Sequence, residues 1–316
     1  MARRKGEPLH GWLVLDKPLG MTSTRALGAA RRMLNADKAG HAGTLDPLAT
    51  GVLPLAFGEA TKTVPYLVEA RKTYRFTVQW GAETATDDAE GDVTRSSEKR
   101  PSRDDIIRAL PQFVGAIMQT PPAFSAVKVD GERAYDLARE GEEVVLEPRV
   151  AHIHRIELAE ARESDQAVFE MVCGKGTYVR AFARDLGRSL GCLGHVQALT
   201  RLAVGPFSLE AAISLETLEE SAKGGAAKRL LMPLATALDD IPALAVTDQE
   251  AAQLRLGQAI LARGRVSPRE EAVAEGDAPE ALPVFCRSRG GDPVAIAALE
   301  RGELRPTRVF NFSTQG

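Results

Sequence analysis

The sequence predicts an α+β fold, in which a mixed sheet with flanking helices forms the larger part and a small β-rich module follows. Predicted strands outnumber predicted helices and do not alternate strictly with them, which argues against a parallel nucleotide-binding fold. Residues 72–81 alternate between apolar and polar side chains, as in a strand with one buried face. A chain of 316 residues that is 44% apolar can build one large core and a smaller one, so we expect two domains.

Short apolar runs and turn residues define the first elements of the chain. Residues 11–16 form an apolar run closed by the turn-forming residues 17–20, which predicts a strand and a turn. Ser23 opens a helical pattern that extends to Leu34. Residues 40–51 contain three glycines and one proline and are predicted to form a loop. A buried strand over 52–57, a helix over 59–69 and the half-buried strand over 72–81 complete this part.

The middle of the chain combines helical and extended segments. Residues 103–110 and 132–140 are predicted to be helical, and residues 144–158 and 166–173 to be extended. A helix with capping residues at both ends is predicted next, with Thr177 as its N-cap and Gly191 at its C-terminal end. Its apolar row is Val179, Phe182, Leu186 and Leu190, and its basic stripe is Arg180, Arg184 and Arg188.

A new unit begins near residue 236. Thr247 and Glu250 form a capping box for a helix that extends to Leu256. An Ala-, Glu- and Pro-rich loop over 264–282 follows. Short strands are predicted over 283–288, 293–299 and 304–310. The sequence therefore predicts a larger domain over 1–235 and a small β-rich domain over 236–316.

Composition argues against several classes of protein. No apolar stretch approaches the roughly 18 residues needed to cross a bilayer, and the charged N-terminal segment does not fit a signal peptide. Three widely spaced cysteines, Cys173, Cys192 and Cys286, are typical of reduced thiols in the cytosol. We therefore expect a cytoplasmic protein that does not contact a membrane.

The net charge is −3, but basic and acidic residues are concentrated in different segments of the chain. Residues 1–75 hold 12 Lys/Arg against 6 Asp/Glu, a balance of +6, and residues 171–205 hold 5 against 1, a balance of +4. Acidic residues concentrate in 83–92, 140–147 and 270–280. Such segregation can form a positive groove for nucleic acid on a weakly acidic protein, although runs of charge are also typical of solvated faces.

Several apparent motifs lack the residues that their chemistry needs. Residues 174–177 resemble a phosphate loop, but Val172-Cys173 breaks the required glycine spacing. His152 and His154 would share one face of a strand without a third metal ligand nearby. We therefore expect neither a nucleotide cofactor nor a metal ion.

The most unusual segment is residues 39–51. It places His41 and Asp46 on a glycine-rich loop flanked by basic residues, and glycine lets the backbone approach a ligand closely. The alternative interpretation is a plain turn in which Asp46 caps the residues that follow.

Beyond this loop, six further motifs carry a family resemblance. The loop motif is Gly40-His41-Ala42-Gly43-Thr44-Leu45-Asp46-Pro47-Leu48-Ala49-Thr50-Gly51, and the others are residues 15–18, 72–74, Thr84 with Asp88 and Gly91, 119–126, 175–180 and 199–204. Together they span most of residues 11–205, and in them the chain resembles the bacterial TruB family of tRNA pseudouridine-55 synthases. The resemblance favours a functional Asp46 over a capping one.

The resemblance implies a fold and a reaction. The implied fold is a mixed, mainly antiparallel sheet of the pseudouridine synthase type over 1–235, with a thumb-like insertion over about 122–150 and a PUA-like C-terminal domain. The implied reaction needs no cofactor: the N1–C1′ bond of uridine breaks, the uracil turns over, and C5 joins C1′. Asp46 could attack C1′, add to C6 or remove the C2′ proton, and the sequence does not choose among these routes.

Roles for individual residues follow from the same resemblance. Asp46 is the implied catalytic carboxylate, Arg180 its ion-pair partner, and Tyr74 the ring that stacks on the target base and removes the C5 proton. The implied substrate-binding residues are His41, Tyr178, Leu199, Lys17, Asp88 and Arg201.

Four further residues carry no role that the resemblance assigns directly. Arg184 and Arg188 are interpreted as solvated members of the basic stripe. Asp87 lies beside Asp88, which leaves the family's acidic counterpart open. Thr200 replaces the first basic residue of the family's Leu-Arg-Arg motif.

The implied partner is the TΨC arm of tRNA, bound by a protein that we expect to be a monomer. The target uridine would be flipped out of its stack. A tRNA-binding protein or tRNA-folding chaperone without chemistry would need the groove and the tyrosines but no ionised Asp46, and the two roles can coexist. A synthase that acts on ribosomal RNA would need RNA-binding appendages that the sequence lacks.

Overall fold

A computed structural model describes residues 6–125, 127–129, 131–139, 144–162, 165–262, 266 and 281–312. Within these ranges no helix combines the length and the apolar character needed to cross a membrane. In chain order the helices are α1 (Ser23–Met33), α2 (Val64–Glu69), α3 (Arg103–Ala109), α4 (Ala134–Arg139), α5 (Val179–Ser189), α6 (Leu215–Lys223) and α7 (Asp248–Arg255).

The strands outnumber the helices, as the sequence predicts. They are β1 (Gly11–Lys17), β2 (Ala39–His41), β3 (Ala49–Phe57), β4 (Lys72–Trp80), β5 (Ala82–Thr84), β6 (Val93–Ser96), β7 (Gly115–Gln119), β8 (Lys128–Val129), β9 (Glu132–Arg133), β10 (Arg149–Arg162), β11 (Gln166–Cys173), β12 (Gly194–Val204), β13 (Phe207–Ser208), β14 (Ala243–Val246), β15 (Ile260–Leu261), β16 (Leu282–Ser288), β17 (Pro293–Glu300) and β18 (Glu303–Val309).

One large sheet forms the centre of the N-terminal part. Its strand order is β1-β3-β12-β4-β11-β10-β7, with β2 on β3 and β13 on β12. The β3–β12 pair is parallel, and the other pairs of this sheet are antiparallel. The structure therefore confirms the predicted mixed, mainly antiparallel α+β fold.

Aromatic packing fixes α5 on this sheet. Phe76 of β4 and Phe169 of β11 stack with ring centroids 5.5 Å apart, and Phe182 of α5 meets Phe76 edge-on at 5.7 Å. All three side chains are buried. Because buried rings contribute large apolar areas and directional contacts, they set the position of the N-terminal turn of α5 above the sheet. The predicted apolar row of this helix is thereby confirmed.

The second sheet lies in the C-terminal part, with strand order β14-β16-β17-β18-β15. Phe285 and Phe310 of this part share a buried cluster with Trp12 and Phe207 of the larger sheet. Lys62 also donates a hydrogen bond of 2.7 Å to the carbonyl of Val309. The C-terminal β-rich unit is therefore packed against the first through a common core.

Local details differ from the sequence predictions in three places. The predicted helix over 59–69 is a 3-10 turn, Gly58–Lys62, followed by α2, because Pro65 cannot donate a backbone hydrogen bond and starts a new helix. Helix α4 begins at Ala134 after the short strand β9, not at residue 132. The N-cap of α5 is Tyr178, not Thr177. Most of the predicted 264–282 loop lies outside the described residues.

Candidate active site

The loop that carries Asp46 connects β2 to β3 and is hydrogen-bonded to the first residue of α1. Ser23, the first residue of α1, accepts a hydrogen bond of 2.8 Å from the Leu45 amide and donates one of 3.0 Å to the Leu45 carbonyl. The Ser23 side chain is buried. These two bonds fix the backbone immediately before Asp46, and no motif in the sequence points to this role of Ser23.

Lys17 supports the same loop from the end of β1. Its ammonium donates to the carbonyl oxygens of Pro18 at 2.8 Å, Met21 at 2.7 Å and Pro47 at 3.4 Å. The residue is fully buried, and an ammonium has three N–H donors. All three donors therefore hold backbone around the Asp46 loop, and the substrate contact expected of Lys17 stays a prediction. Burial lowers the pKa of Lys17 to about 8.

Arg201 of β12 braces the other side of the loop. Its guanidinium donates to the carbonyl of Val52 at 2.7 Å and to that of Gly43 at 3.1 Å. The side chain is 1% exposed. It faces the cavity described below, where it also lies beside the hydroxyl of Tyr74.

Gly51 lets the loop approach the β12 backbone closely. It has φ of +95°, and a Cβ placed on it would lie 2.3 Å from the carbonyl oxygen of Arg201. Only a residue without a side chain fits both the backbone angle and the contact. The close approach is required by the parallel pairing of β3 with β12, in which Gly51 faces Arg201.

Replacement of Gly51 by alanine is expected to lower the free energy of unfolding by at least about 2 kcal/mol, because strain and a backbone clash add. Gly20 provides a matched control: it has φ of +74°, and no atom lies within 4 Å of the point that a Cβ would occupy. Gly20→Ala should therefore cost only about 1 kcal/mol of backbone strain. Urea denaturation measures both, and equal losses would contradict the assigned contact.

Asp46 forms an ion pair with a buried arginine. Its carboxylate lies 2.9 Å from the guanidinium of Arg180, whose side chain is 6% exposed, whereas the Asp46 side chain is 41% exposed. The same guanidinium lies 3.5 Å from the carboxylate of Asp88, which is 3% exposed. Arg180 thus bridges one buried carboxylate and one that is accessible from the cavity.

Two backbone carbonyls also accept hydrogen bonds from Arg180. The guanidinium donates to the carbonyl of Thr86 at 2.8 Å and to that of Phe124 at 2.9 Å. Asp88 is itself held by the hydroxyl of Thr86 at 2.5 Å and by the amide of Glu90 at 3.0 Å. Because its surroundings leave the arginine little freedom, Asp46 is oriented before any ligand enters the site.

Asp87 and Asp88 pair with different arginines of α5. Asp88 pairs with Arg180, while Asp87 lies 2.8 Å from Arg184 one helical turn further along α5. Asp88 is buried and holds the Arg180 guanidinium, and its implied substrate contact stays a prediction. Burial raises the pKa of Asp87, and the Arg184 charge opposes this shift.

The basic stripe on α5 is solvated only in part. Arg184 is buried and donates to Asp87 at 2.8 Å and to the carbonyl of Thr120 at 2.8 Å. The interpretation of Arg184 as solvated is therefore wrong, because an acidic turn absent from the helical pattern packs against it. Arg188 is exposed, as interpreted, and lies 2.6 Å from the buried carboxylate of Glu83.

A cavity of about 270 Å³ opens beside Asp46. Tyr178 sits in its wall, locked by Gln119, which accepts from the Tyr178 amide at 2.8 Å and donates to its carbonyl at 3.1 Å. Burial raises the pKa of the Tyr74 hydroxyl, so this phenol stays protonated at neutral pH. Six of the nine residues singled out from the sequence line the cavity: Asp46, Tyr74, Tyr178, Arg180, Leu199 and Arg201.

His41 lies outside the lining of this cavity, on the short strand β2. It is half-buried, and among the described residues its Nδ1 has no hydrogen-bond partner. Burial and the charge of Arg201 lower its pKa, which favours the neutral imidazole. In the part of the chain that the structure describes, no group of three or more His, Cys, Asp or Glu side chains could hold a metal ion.

A carboxylate held by a buried arginine therefore lies at the mouth of a tyrosine-lined cavity on this mixed sheet. The structure is similar to one titled "Crystal Structure of a Cbf5-Nop10-Gar1 Complex", with a TM-score of 0.73, 25% identity and coverage of 96% of this chain and 84% of that one. The fold is also similar to "Crystal structure of the archaeal box H/ACA sRNP Nop10-Cbf5 complex", with a TM-score of 0.72, 23% identity and coverage of 98% and 92%.

Sequence comparisons identify the particular family. Residues 31–179 match the model of the TruB family pseudouridylate synthase N-terminal domain, and residues 180–239 match the tRNA pseudouridylate synthase B C-terminal domain. The tRNA pseudouridine synthase B of Bradyrhizobium diazoefficiens is 53% identical over 98% of this chain and 88% of that protein. That of Caulobacter vibrioides is 50% identical over 99% and 100%. The chain belongs to the TruB family of tRNA pseudouridine synthases and is an isomerase.

Proposed function

We propose that this enzyme isomerises uridine 55 in the TΨC loop of tRNA, with Asp46 as the reacting carboxylate. One observation carries the proposal: Asp46 is accessible from the cavity while its partner Arg180 is buried and fixed at 2.9 Å. The relatives named tRNA pseudouridine synthase B support a tRNA substrate. The choice of position 55 rests on the family resemblance of the Asp46 loop.

The cavity suits a nucleotide that has left its stack. Extruding a stacked base costs roughly a few kcal/mol, and an aromatic ring against the flipped base returns about 1–3 kcal/mol. Tyr74 lines the cavity that Asp46 also faces, which supports this role for its ring. Tyr178 and Leu199 line the same cavity and would contact the edges of the uracil.

The remaining residues act around the nucleotide. Arg201 braces the Asp46 loop and lines the cavity, so it would bind near the sugar and base at once. His41, on the strand that leads into the loop, would occupy space left by the flipped base. Charge supports RNA binding, because residues 1–75 carry a balance of +6.

In this reaction the N1–C1′ bond breaks, C5 replaces N1 on C1′, and the proton on C5 is lost while N1 gains one. The atoms of substrate and product are the same, so no cofactor or co-reactant is consumed. Asp46 would act at C1′, at C6 or on the C2′ proton. Tyr74, whose phenol is protonated at neutral pH, would take the C5 proton on its hydroxyl oxygen only as it gives up its own proton.

The test uses an unmodified tRNA transcript and maps pseudouridine by carbodiimide treatment and reverse transcription. The expected result is one new stop that reports modification of uridine 55, and no stop in a transcript with cytidine at that position. A fragment of ribosomal RNA serves as the competing substrate. Modification of another tRNA uridine, or of the ribosomal fragment in preference to tRNA, would overturn the assigned site.

A tRNA-folding role is the second candidate, because binding that everts a base must open the loop around it. The Asp46→Asn variant separates the two functions. It should bind the transcript and, if the protein is a chaperone, accelerate folding of a misfolded tRNA without modifying it. Loss of this acceleration in a variant that still binds tRNA would contradict the folding role.

A further inference from the structure

A buried lysine lies in the wall of the cavity and has no role in the reaction described so far. Lys72, the first residue of β4, is 7% exposed and lines the cavity together with Tyr74. Side chains two residues apart on a strand point to the same face, with their Cα atoms about 7 Å apart. Lys72 and Tyr74 are therefore neighbours along one wall of the catalytic cavity.

The ammonium of Lys72 has donors to spare. Among the described residues it donates one hydrogen bond, to the carbonyl of Val68. Lys17 shows the contrasting case, because three backbone carbonyls accept from its ammonium. Since each ammonium carries three N–H donors, Lys72 keeps two for a group that enters the cavity.

Its charge is also uncompensated. Within the described ranges no carboxylate lies within ion-pairing distance of Lys72, whereas Arg180 of the same site pairs with the carboxylates of Asp46 and Asp88. The titratable and charged groups that face it are Arg201 on β12, Cys173 on β11, Glu69 on α2 and Lys175 after β11. A buried cation without an anion is costly, and burial lowers the pKa of Lys72 to about 8.

We propose that Lys72 is a further catalytic residue, whose ammonium hydrogen-bonds a carbonyl oxygen of the target uracil and balances the negative charge that develops there. This inference rests on the proposed function of the cavity. It assigns Lys72 to the base, and it leaves Asp46 to act on the sugar or at C6.

The chemistry requires such a countercharge by every open route. When the N1–C1′ bond breaks, its electron pair stays on N1 and spreads to O2 and O4 of the uracil. When Asp46 instead adds to C6, the electron pair of the C5–C6 bond moves to C5 and O4. Both charges disappear once C5 has joined C1′, the C5 proton has left and N1 has been protonated. A donor that meets this charge stabilises the transition state more than the ground state.

The location of Lys72 favours a contact to the target base over a contact to the RNA backbone. Lys72 lies in the cavity wall beside Tyr74 and is almost inaccessible from the surface. The phosphates of a flipped nucleotide remain with the strand outside the cavity. A phosphate contact would chiefly affect tRNA affinity, whereas a contact to the developing uracil anion would affect the rate of conversion.

The experiment compares Lys72→Met and Lys72→Arg with the wild-type enzyme, and uses Lys223→Met on the exposed face of α6 as control. Conversion is followed in a single turnover with enzyme in excess, and tRNA binding is measured separately. Lys72→Met is expected to slow conversion by about 10²–10³-fold and to change the Kd by less than about twofold. Lys72→Arg, which keeps the charge, should recover most of the rate, and Lys223→Met should match the wild type.

A transcript with 5-fluorouridine at the target position distinguishes a catalytic Lys72 from a structural one. If Lys72 were only structural, its substitution would slow conversion of uridine and of 5-fluorouridine equally. Fluorine makes the departing base less basic, so detachment needs the ammonium less. The loss caused by Lys72→Met, measured as disappearance of 5-fluorouridine from nuclease digests, should be at least tenfold smaller than with uridine. The uridine reaction of the wild type should also slow as the pH rises through about 8, where Lys72 loses its proton. Lys72→Arg should slow less over this range, because there only Lys17, whose pKa is also about 8, still loses its proton.

The other possible results of these experiments would overturn the proposed role of Lys72 or the proposed function. Equal losses with uridine and 5-fluorouridine, or a weaker Kd with an unchanged rate, would overturn the proposal. If Lys72→Met does not fold, the pH profiles of the wild type and of Lys72→Arg decide in its place, and identical profiles overturn it. A wild-type enzyme that converts no uridine in tRNA would instead refute the proposed function itself.

Discussion

Replacement of Asp46 by asparagine is expected to lower the rate of pseudouridine formation by at least about 10⁴-fold, as removal of a reacting group does in other enzymes. Asparagine keeps the shape of the side chain and removes the charge that must attack carbon or accept a proton. Asp46 is partly exposed to the cavity, so its substitution should leave the core intact. The fold and the affinity for tRNA should therefore change little.

The matched control is Asp104→Asn, an exposed carboxylate on α3. It changes the net charge by the same amount at a distance from the cavity, so its conversion rate should equal that of the wild type. A large loss of tRNA binding in Asp46→Asn would show that the carboxylate acts mainly in recognition.

Replacement of Arg180 by methionine is expected to damage both stability and rate. It leaves the buried carboxylate of Asp88 without its partner, and breaking a buried ion pair costs about 3–5 kcal/mol of unfolding free energy. It also releases Asp46 from its fixed orientation, which should lower kcat by about 10²–10³-fold. Denaturant unfolding and single-turnover conversion measure the two effects on the same sample.

Arg184→Met provides a control on the same helix. It breaks the buried pair with Asp87 but does not touch Asp46, so it should cost similar stability while the rate falls less than about tenfold. If Arg184→Met were as slow as Arg180→Met, loss of stability, not loss of the contact to Asp46, would explain the defect.

Local patterns were sufficient to predict much of the fold. The alternation in β4 and the apolar row of α5 predict which faces are buried, because burial of one face imposes a regular period on a strand or helix. The family motifs brought together six residues that do line one cavity. The alternation also continues to Lys72, so a buried lysine beside Tyr74 could have been noticed from the sequence.

Contacts between distant segments could not be predicted in this way. A basic stripe at four-residue intervals looks the same whether water or an acidic turn covers it, and the turn at Asp87 covers Arg184. Lys17 and Ser23 hold the Asp46 loop through backbone atoms, which leave no side-chain signature in the sequence. The adjacent Asp87 and Asp88 were separated only by the direction in which each points, and Asp87 has φ of +59°.

The most direct test of the central claim is a single turnover of a tRNA transcript by excess Asp46→Asn, at concentrations where binding is shown to be complete. Under these conditions neither product release nor weak affinity can mask the chemical step. If the Asp46 carboxylate, held by Arg180, is the reacting group, Asp46→Asn should form no detectable pseudouridine over many half-lives of the wild-type reaction. Full conversion at a rate within tenfold of the wild type would contradict it.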